Sequence, residues 1–379
     1  MTPPRNIGLY LHIPFCRQRC HFCAFYLEIG RTERIASFLS ALERELRLYG
    51  GQDLLQGRML QSIYFGGGTP TVIPARRLAS LLSLIHATFP TDSTVEITVE
   101  AHPATVTADD VSILAEAGFN RISFGVESMN DTDLGPIGRP GTVQDTRTAV
   151  AAAKAAGFAN INLDVMYGLP GQTLESWTET LHSLLDLDPS HLSCYALTIE
   201  EGTKLAHDIA RGIVPAPDDS LQVDMDMAAK DILATAGFVQ YELSNYAKPG
   251  FACRHNLLHW TDGDYLGLGP SAQSYVNGVR FGNIADLTAY ADRLGKSILP
   301  VSERTLLSPS EQQRDALVFG LRLVDGVPTH AIDSGSIQSE PRRELGRLIA
   351  QGLVEKGAGR VRLTPLGQRY ADTVAKDLF

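Results

Sequence analysis

The sequence is short of positive charge. Its 379 residues contain 33 Lys and Arg against 43 Asp and Glu, which gives a formal net charge of -10. Proteins that bind nucleic acid usually carry a basic stripe, so this balance argues against DNA or RNA as a partner. The apolar stretch near the N-terminus is interrupted by His12 and Pro14, which makes it too short for a signal peptide or a membrane span. We therefore expect a cytoplasmic protein that acts on small molecules.

Cysteine is also scarce, but three of the five cysteines fall within eight positions. Cys16, Cys20 and Cys23 have the spacing C-x3-C-x2-C and follow directly after the first predicted strand. In a chain without an export signal, this crowding favours metal ligation over disulfide bonds. Three thiolates in one loop can hold an iron–sulfur cluster with one iron left open for a chelating ligand. A zinc site completed by His12 or His21 is the alternative.

Strand and helix patterns alternate from residue 7 to about residue 245. Short β-branched or aromatic runs, each followed by an amphipathic stretch, are typical of βα units around a parallel sheet. The predicted strands cover residues 7–13, 62–65, 95–100, 121–125, 160–166 and 191–197. The predicted helices between them cover residues 35–48, 75–87, 108–117, 143–156 and 174–185. The pattern predicts an α/β fold built on a partial (β/α)6 TIM-like barrel.

The pattern changes near residue 300 and predicts a small C-terminal α+β domain. The apolar residues in 312–323 and 340–351 recur with the period of a helix, and residues 353–363 are predicted to form a hairpin with a Gly-Ala-Gly turn. Thr364 and Pro365 form an N-cap pair for a last helix. This order is typical of a winged helix, and without a basic stripe it favours protein packing or a lid over DNA binding. The predicted divisions are a barrel core at 1–245, a connecting segment at 246–300 and the winged-helix-like domain at 301–379.

Polar motifs recur where the predicted strands end, and a parallel barrel gathers these ends around one active site. Residues 66–70, Gly-Gly-Gly-Thr-Pro, follow the second strand, and glycines let backbone N–H groups approach a ligand closely. Glu100 ends the third strand, Glu127 follows the fourth, and Asp164 lies on the fifth, with Arg139 nearby. Taken singly, each could be a structural turn, a helix cap or a solvated charge. Their recurrence at one end of the barrel favours a ligand site.

Taken together, these motifs resemble the radical S-adenosylmethionine (SAM) superfamily, in its oxygen-independent coproporphyrinogen III oxidase branch. Residues 10–16, the three-cysteine loop and the glycine turn carry the resemblance, which spans nearly the whole chain. Within the branch, residues 99–103, 162–173 and 194–200 are most similar to the haem chaperone family HemW. Residues 254–260 resemble the HNxxYW motif of that group.

The resemblance implies a [4Fe-4S] cluster on Cys16, Cys20 and Cys23 with SAM as the second cofactor. It implies reductive cleavage of SAM to methionine and a 5′-deoxyadenosyl radical, hence a reductase or flavodoxin-type electron donor. A haem-accepting protein is a further implied partner. His255 is the candidate haem contact, because imidazole can ligate iron, and a packed or surface histidine is the alternative. The residues implied to hold SAM are Tyr10, Phe22, Gly67, Gly68, Thr69, Glu100, Glu127, Arg139, Asp164 and Ala196.

Departures from the family bear on the choice of function. Coproporphyrinogen oxidases that resemble this chain carry a further cysteine where Phe25 stands, which argues against decarboxylation. Glu127 replaces a usual Gln, His259 replaces the Tyr of the haem motif, and Gln273 replaces a His. Three hypotheses remain open: a HemW-like haem chaperone that retains radical SAM machinery, a porphyrinogen-processing radical enzyme, and a metal-stabilised scaffold. Whether the protein is an enzyme is left open.

Overall fold

The computed structural model describes residues 5–329 and 339–379. Its strands, numbered in chain order, are β1 (Arg5–Ile13), β2 (Phe15–Cys16), β3 (Glu28–Ile29), β4 (Arg58–Gly67), β5 (Thr91–Ala101), β6 (Arg121–Glu127), β7 (Asn160–Tyr167), β8 (His191–Ala196), β9 (Val239–Glu242), β10 (Asn245–Ala247), β11 (Tyr265–Leu268), β12 (Gln273–Val276), β13 (Val279–Asn283), β14 (Val301–Leu306), β15 (Val327–Pro328), β16 (Val354–Gly357) and β17 (Arg360–Leu363).

The helices are α1 (Thr32–Gly50), α2 (Ala75–Thr88), α3 (Ala108–Ala117), α4 (Asp131–Leu134), α5 (Val143–Ala155), α6 (Leu174–Leu185), α7 (Lys204–Ala210), α8 (Asp219–Thr235), α9 (Arg254–Trp260), α10 (Leu287–Gly295), α11 (Pro309–Gly320), α12 (Ser339–Ala350), α13 (Pro365–Arg369) and α14 (Ala371–Leu378). Short 3-10 turns cover Asp53–Leu55 and Pro70–Val72. Among the helices described, none combines the length and apolarity that a membrane span requires.

Six neighbouring parallel strands form the partial barrel. They follow one another in the order β1-β4-β5-β6-β7-β8 within a larger mixed sheet. The prediction of an α/β fold with six parallel strands is confirmed, and each predicted strand and helix of this region is present with ends shifted by a few residues. The short apolar runs of the strands and the longer amphipathic helices explain this agreement, because strands of a parallel sheet are buried on both faces.

Strand β1 shows how the sequence divides the two faces of the sheet. Ile7, Leu9 and Leu11 are buried in the apolar core beneath the helices. Tyr10 and His12 alternate with them and therefore point into the barrel, where the Tyr10 hydroxyl is hydrogen-bonded to His12 Nδ1 at 3.2 Å. The inner face of the barrel is thus polar and available for ligand chemistry.

Helix starts follow the local capping signals. Thr107 and Asp110 form the predicted capping box at the start of α3, and Thr173 caps α6 through the backbone N–H of Ser176. Such caps satisfy backbone donors that the first helical turn leaves unpaired. The caps fix the residue at which each helix begins after the carboxyl end of a strand.

Residues 246–300, predicted as a connecting segment, contribute strands to the central sheet. β10 pairs antiparallel with β8, while β11 pairs parallel with β1 and leads into the antiparallel β12, β13 and β14. Helix α9 packs against β4 and carries the HNxxYW-like segment. The domain boundaries at 245 and 300 remain predictions.

The C-terminal region has its own small apolar core. Residues including Leu317, Leu348 and Val361 pack between α11, α12, α14 and the three-stranded sheet β15-β17-β16. The predicted hairpin is confirmed as β16 and β17, and Thr364 caps α13 with Pro365 in its first turn. The helices and antiparallel sheet agree with the predicted α+β domain.

Candidate functional site

A cavity of about 540 Å³ opens at the carboxyl ends of the parallel strands. The structure brings most of the predicted site residues together on its wall: Cys16, Cys20, Phe22, Cys23, Gly67, Gly68, Thr69, Glu100, Glu127, Arg139, Asp164 and Ala196. Tyr10 and His255 do not line it: His255 is buried, and Tyr10 is partly buried on the inner face of β1. The convergence follows from the parallel barrel, because strands far apart in sequence end at one place.

The cysteine loop leaves β1 through the two-residue strand β2, which pairs with β3. Cys16, Cys20 and Cys23 are partly exposed free thiols. The Cys16 Sγ is hydrogen-bonded to Thr69 Oγ1 at 3.4 Å, and Arg139 Nη1 donates to Cys20 Sγ at 3.6 Å. Burial raises the pKa of the Cys16 and Cys20 thiols, and the Arg139 charge opposes the rise at Cys20. A bound cationic centre would favour the thiolate form that ligation requires.

The two histidines proposed to complete a zinc site have other partners. His12 Nε2 donates to the Tyr26 carbonyl at 3.4 Å, which leaves Nδ1 to accept from the Tyr10 hydroxyl, and His21 Nδ1 pairs with the Pro136 carbonyl at 3.1 Å. Across residues 5–329 and 339–379, no group of three or more His, Cys, Asp or Glu side chains is arranged to hold a single ion. A cubane cluster does not require the ligands to converge on a single ion, since each cysteine binds a different iron atom.

The glycine turn packs directly against the start of the cysteine loop. Gly67 has φ of 111°, in the left-handed region that favours glycine. A Cβ on Gly68 would lie 2.6 Å from the carbonyl oxygen of Phe15. In addition, Gly68 N donates to the Ile13 carbonyl at 2.8 Å and Thr69 N donates to the Phe15 carbonyl at 2.7 Å. The turn therefore fixes the position from which the cysteines extend.

Two of the carboxylates on the wall are held by protein donors. Glu100 accepts from the Tyr64 hydroxyl at 2.8 Å and from Gly67 N at 3.1 Å. Asp164 accepts from Asn162 Nδ2 at 2.8 Å and from Ser123 Oγ at 2.9 Å. Burial raises the pKa of Glu100 to about 7, although the Tyr64 hydrogen bond opposes the rise. These carboxylates are fixed in place and can accept further bonds from hydroxyl or ammonium groups.

Glu127 and Arg139 form a pair that reaches the cysteine loop. Glu127 has φ of 67° and follows an irregularity in the pairing of β6 with β7, which turns its side chain toward the cavity. Its Oε1 lies 3.4 Å from Arg139 Nη2, and the guanidinium also donates to the Gly125 carbonyl and to Cys20 Sγ. Burial raises the pKa of Glu127 to about 7, against the effect of the Arg139 charge. Arg139 thus connects the carboxylate side of the cavity to one thiol.

Comparison with known proteins decides the family. The radical SAM superfamily model matches residues 10–184, and the HemN C-terminal domain model matches residues 307–370. The haem chaperone HemW of Mycobacterium tuberculosis is 31% identical, over 100% of this chain and 96% of its own length. That of Bacillus subtilis is 32% identical, over 96% of this chain and 97% of its own. The chain belongs to the HemW family of radical SAM proteins.

A solved structure supports the same assignment at the level of the fold. Coproporphyrinogen III oxidase (HemN) from Escherichia coli, a radical SAM enzyme, superposes with a TM-score of 0.87 at 25% identity, over 99% of this chain and 90% of its own. Membership of the radical SAM superfamily implies a [4Fe-4S] cluster and SAM as cofactors, which confirms that expectation. The cavity fits both, because free thiols, a glycine turn and buried carboxylates face one space. The role of each residue stays a prediction.

A second set of residues lies deeper in the barrel of this radical SAM site. The HNxxYW-like motif marked two of them, His255 and Asn256, but the sequence analysis missed Thr98 and Arg121. We call Thr98, Arg121, His255 and Asn256 the inner layer, and among them Arg121 and Asn256 line the cavity. Thr98 and Arg121 are register partners on β5 and β6, while His255 and Asn256 come from α9. A signal was available for Arg121, because it alternates with the apolar Ile122 and Phe124 and shares its parity with Ser123 and Gly125, which line the cavity.

The predicted haem contact, His255, is packed inside the protein. Its side chain is 3% exposed, its Nδ1 is hydrogen-bonded to Ser62 Oγ at 2.9 Å, and its ring stacks on Tyr64 with centroids 5.0 Å apart. Burial lowers its pKa well below the ordinary value, so the imidazole is neutral. Its Nε2 is buried and has no hydrogen-bond partner among the described residues. Haem ligation by His255 stays a prediction, and it would require this buried ring to become accessible.

Proposed function

We propose that the protein is a haem chaperone that retains radical SAM machinery and binds both haem and SAM. The observation that carries this proposal is the identity of 31% to HemW haem chaperones along the entire chain. The C-terminal domain is included in that similarity, so the likeness is not limited to the barrel common to radical SAM proteins. A haem-accepting protein is part of this proposal, because a chaperone must pass its ligand on.

We infer that Cys16, Cys20 and Cys23 hold the [4Fe-4S] cluster and leave one iron open. When bound, the reduced cluster and SAM supply one-electron chemistry. Arg139 orients the loop through its bond to Cys20 Sγ and compensates the thiolate charge. Glu100 and Asp164 accept hydrogen bonds from the hydroxyl and ammonium groups of SAM. The thiols remain reduced in the cytoplasm, which is where we place the protein, with a reductase or flavodoxin-type electron donor.

Haem is an apolar planar ring with carboxylate side chains, and the mouth of the cavity offers it an apolar contact. Phe25 is 70% exposed and Tyr195 is 40% exposed, and both line the cavity. Large apolar side chains exposed beside a cavity are typical of ligand-binding surfaces. We propose that the haem ring packs against these two aromatic side chains, with His255 reached only after its buried ring becomes accessible.

Haem titration of the anaerobically reconstituted protein tests this proposal. We expect a shifted haem absorption band that saturates at about one haem per chain, and a changed band in His255→Ala if the imidazole is a ligand. His86→Ala is the matched control, because His86 is an exposed histidine away from the cavity. No saturable haem binding by the wild type would exclude the chaperone.

A porphyrinogen-processing radical enzyme is the second candidate, favoured by the TM-score of 0.87 to coproporphyrinogen III oxidase. Anaerobic incubation with dithionite, SAM and coproporphyrinogen III should then give decarboxylated product in the wild type and none in Cys20→Ala. Absence of product with an intact cluster would exclude this candidate. Phe25, where such oxidases carry a further cysteine, leads us to expect that result.

A further inference from the structure

The side chain of Arg121 is the least satisfied charged group of the cavity wall. It is 1% exposed and lines the cavity from the first position of β6. Its Nε and Nη1 atoms are buried without a hydrogen-bond partner in the part of the chain that the structure describes. A guanidinium stays protonated even when buried, so this charge cannot be removed by titration.

Glu96 and Glu100, two carboxylates that interact electrostatically with Arg121, are bonded to other donors. Glu96 accepts from the backbone N–H groups of Arg254 and His255, at 3.1 and 3.2 Å. Glu100 likewise uses both oxygens, for the Tyr64 hydroxyl and Gly67 N. Glu96 and Glu100 partly compensate the charge of Arg121, but neither carboxylate is hydrogen-bonded to it. The Nε and Nη1 atoms of Arg121 therefore have no hydrogen-bond partner among the described residues.

A buried guanidinium that lines a cavity and has unpaired N–H groups has a clear chemical preference. Removing such a charge from water costs several kcal/mol unless a partner compensates it. Its planar fork of N–H donors matches the two oxygens of a carboxylate better than any neutral ligand. The amide of Asn256 lines the same cavity and can add a further donor.

We propose that Arg121, with Asn256, is a carboxylate-binding subsite that receives a propionate of the tetrapyrrole ligand. This inference rests on the proposed function, which supplies a tetrapyrrole as the ligand. SAM also carries a carboxylate. SAM binding and the ratio of porphyrin acid to ester affinity, both measured in Arg121→Gln, distinguish a SAM carboxylate from a propionate. The subsite places the carboxylate deep in the barrel and the apolar ring near Phe25 and Tyr195.

The test compares the dissociation constants of iron protoporphyrin IX and of its dimethyl ester, in which both carboxylates are blocked. With the reconstituted wild type, the free acid should bind at least roughly tenfold more tightly than the ester, as expected for a charge-assisted hydrogen bond. In Arg121→Gln the acid should lose that advantage while the ester binds as before. Asn256→Asp, which has nearly the same size, should weaken the acid selectively by repulsion.

Arg58→Gln is the matched control, because Arg58 is also buried but is paired with Asp264 and does not line the cavity. Its ratio of acid to ester affinity should equal that of the wild type. The wild-type comparison and Asn256→Asp decide the question even if Arg121→Gln does not fold.

Three results would overturn the inference. Equal binding of acid and ester by the wild type would exclude a carboxylate subsite while leaving haem binding intact. Loss of SAM binding in Arg121→Gln, with an unchanged ratio of acid to ester affinity, would assign the subsite to SAM. Binding of neither porphyrin by the wild type would reject the proposed function itself.

Discussion

The outer and inner parts of the barrel interior differ in how their polar groups are satisfied. We call the cysteine loop, the glycine turn, Glu100, Glu127 and Arg139 the outer layer. There the Glu100 carboxylate accepts two bonds from the protein, and Arg139 donates to Gly125 and Cys20, with only its Nε buried without a partner among the described residues. In the inner layer, by contrast, Thr98, Arg121 and His255 each keep buried polar atoms without a partner among the described residues.

This difference assigns different tasks to the two layers: the outer layer positions the cofactors, and the inner layer recognises a ligand. Side chains of the outer layer are locked by protein contacts before any cofactor binds, as a site for exact placement requires. Buried polar atoms without partners, as in the inner layer, are costly unless water or a ligand satisfies them. We therefore expect substitutions in the outer layer to abolish cofactor binding, and those in the inner layer to act on ligand choice.

The largest effect should come from the cysteine loop. Cys20→Ala removes one of three thiolates, and a cluster held by two protein ligands should not persist. We expect iron to fall from about four atoms per chain to near zero after anaerobic reconstitution. Metal analysis and EPR of the dithionite-reduced protein, with and without SAM, measure this loss.

Cys194→Ala is the control for that experiment, since Cys194 is a buried thiol that does not line the cavity. It should keep its full iron content. Zinc in place of iron, or a wild-type spectrum that SAM leaves unchanged, would instead mean that the three cysteines serve structure.

The next effect should come from the glycine turn. In Gly68→Ala the new methyl group would meet the Phe15 carbonyl at 2.6 Å, so the turn must move away from the cysteine loop. Overpacking of this kind costs about 1–3 kcal/mol of folding stability. SAM affinity should fall as well, and chemical denaturation together with SAM titration measures both effects.

Gly135→Ala is the matched substitution, because a Cβ there has no atom within 4 Å and its φ of -59° suits any residue. It should change neither stability nor SAM affinity by a measurable amount. Equal behaviour of the two variants would show that the turn does not position the loop.

The two layers also differ in how far the sequence reveals them. Cys16, Gly67 and Thr69 belong to contiguous motifs at strand ends, where spacing and barrel topology suffice to predict one site. Thr98 and Arg121 are single residues outside any such motif, so no motif indicates their place inside the barrel. His255 belongs to the HNxxYW-like motif, but its burial against Ser62, 193 positions away, depends on the tertiary fold. The antiparallel strands β12 to β14 were missed for a related reason, since a short strand at a sheet edge has little local signal.

A smaller effect concerns pH and the outer layer. Glu100, whose pKa is raised to about 7 by burial, must ionise to bind the positive groups of SAM. SAM affinity should therefore rise about tenfold from pH 6 to pH 8, and Glu100→Gln should abolish this dependence. Because the folded-state pKa exceeds the ordinary value of 4.5, ionisation of Glu100 also lowers stability as pH rises from about 4.5 to 7.

Glu45 provides the control, since burial likewise raises its pKa to about 7 but it does not line the cavity. Glu45→Gln should reduce the loss of stability with rising pH and leave the pH dependence of SAM binding unchanged. A SAM affinity that is flat with pH in the wild type would contradict a role for the ionised Glu100.

The smallest effect should come from the inner layer. Thr98 is fully buried and its hydroxyl has no partner among the described residues. Valine has the same shape without the hydroxyl, so Thr98→Val should leave the free energy of unfolding unchanged or raise it by about 0.5–1 kcal/mol. Ser123→Ala on the adjacent strand should instead cost about 1–3 kcal/mol, because Ser123 Oγ donates to Asp164.

The comparison of these two hydroxyl deletions measures the difference between the layers. If Thr98→Val loses as much stability as Ser123→Ala, the Thr98 hydroxyl must be bonded to a buried water, since no described side chain bonds to it. The inner layer would then be filled by solvent before any ligand arrives. Arg121 would have to exchange that water for a carboxylate, and the advantage of the free acid over the ester would shrink accordingly.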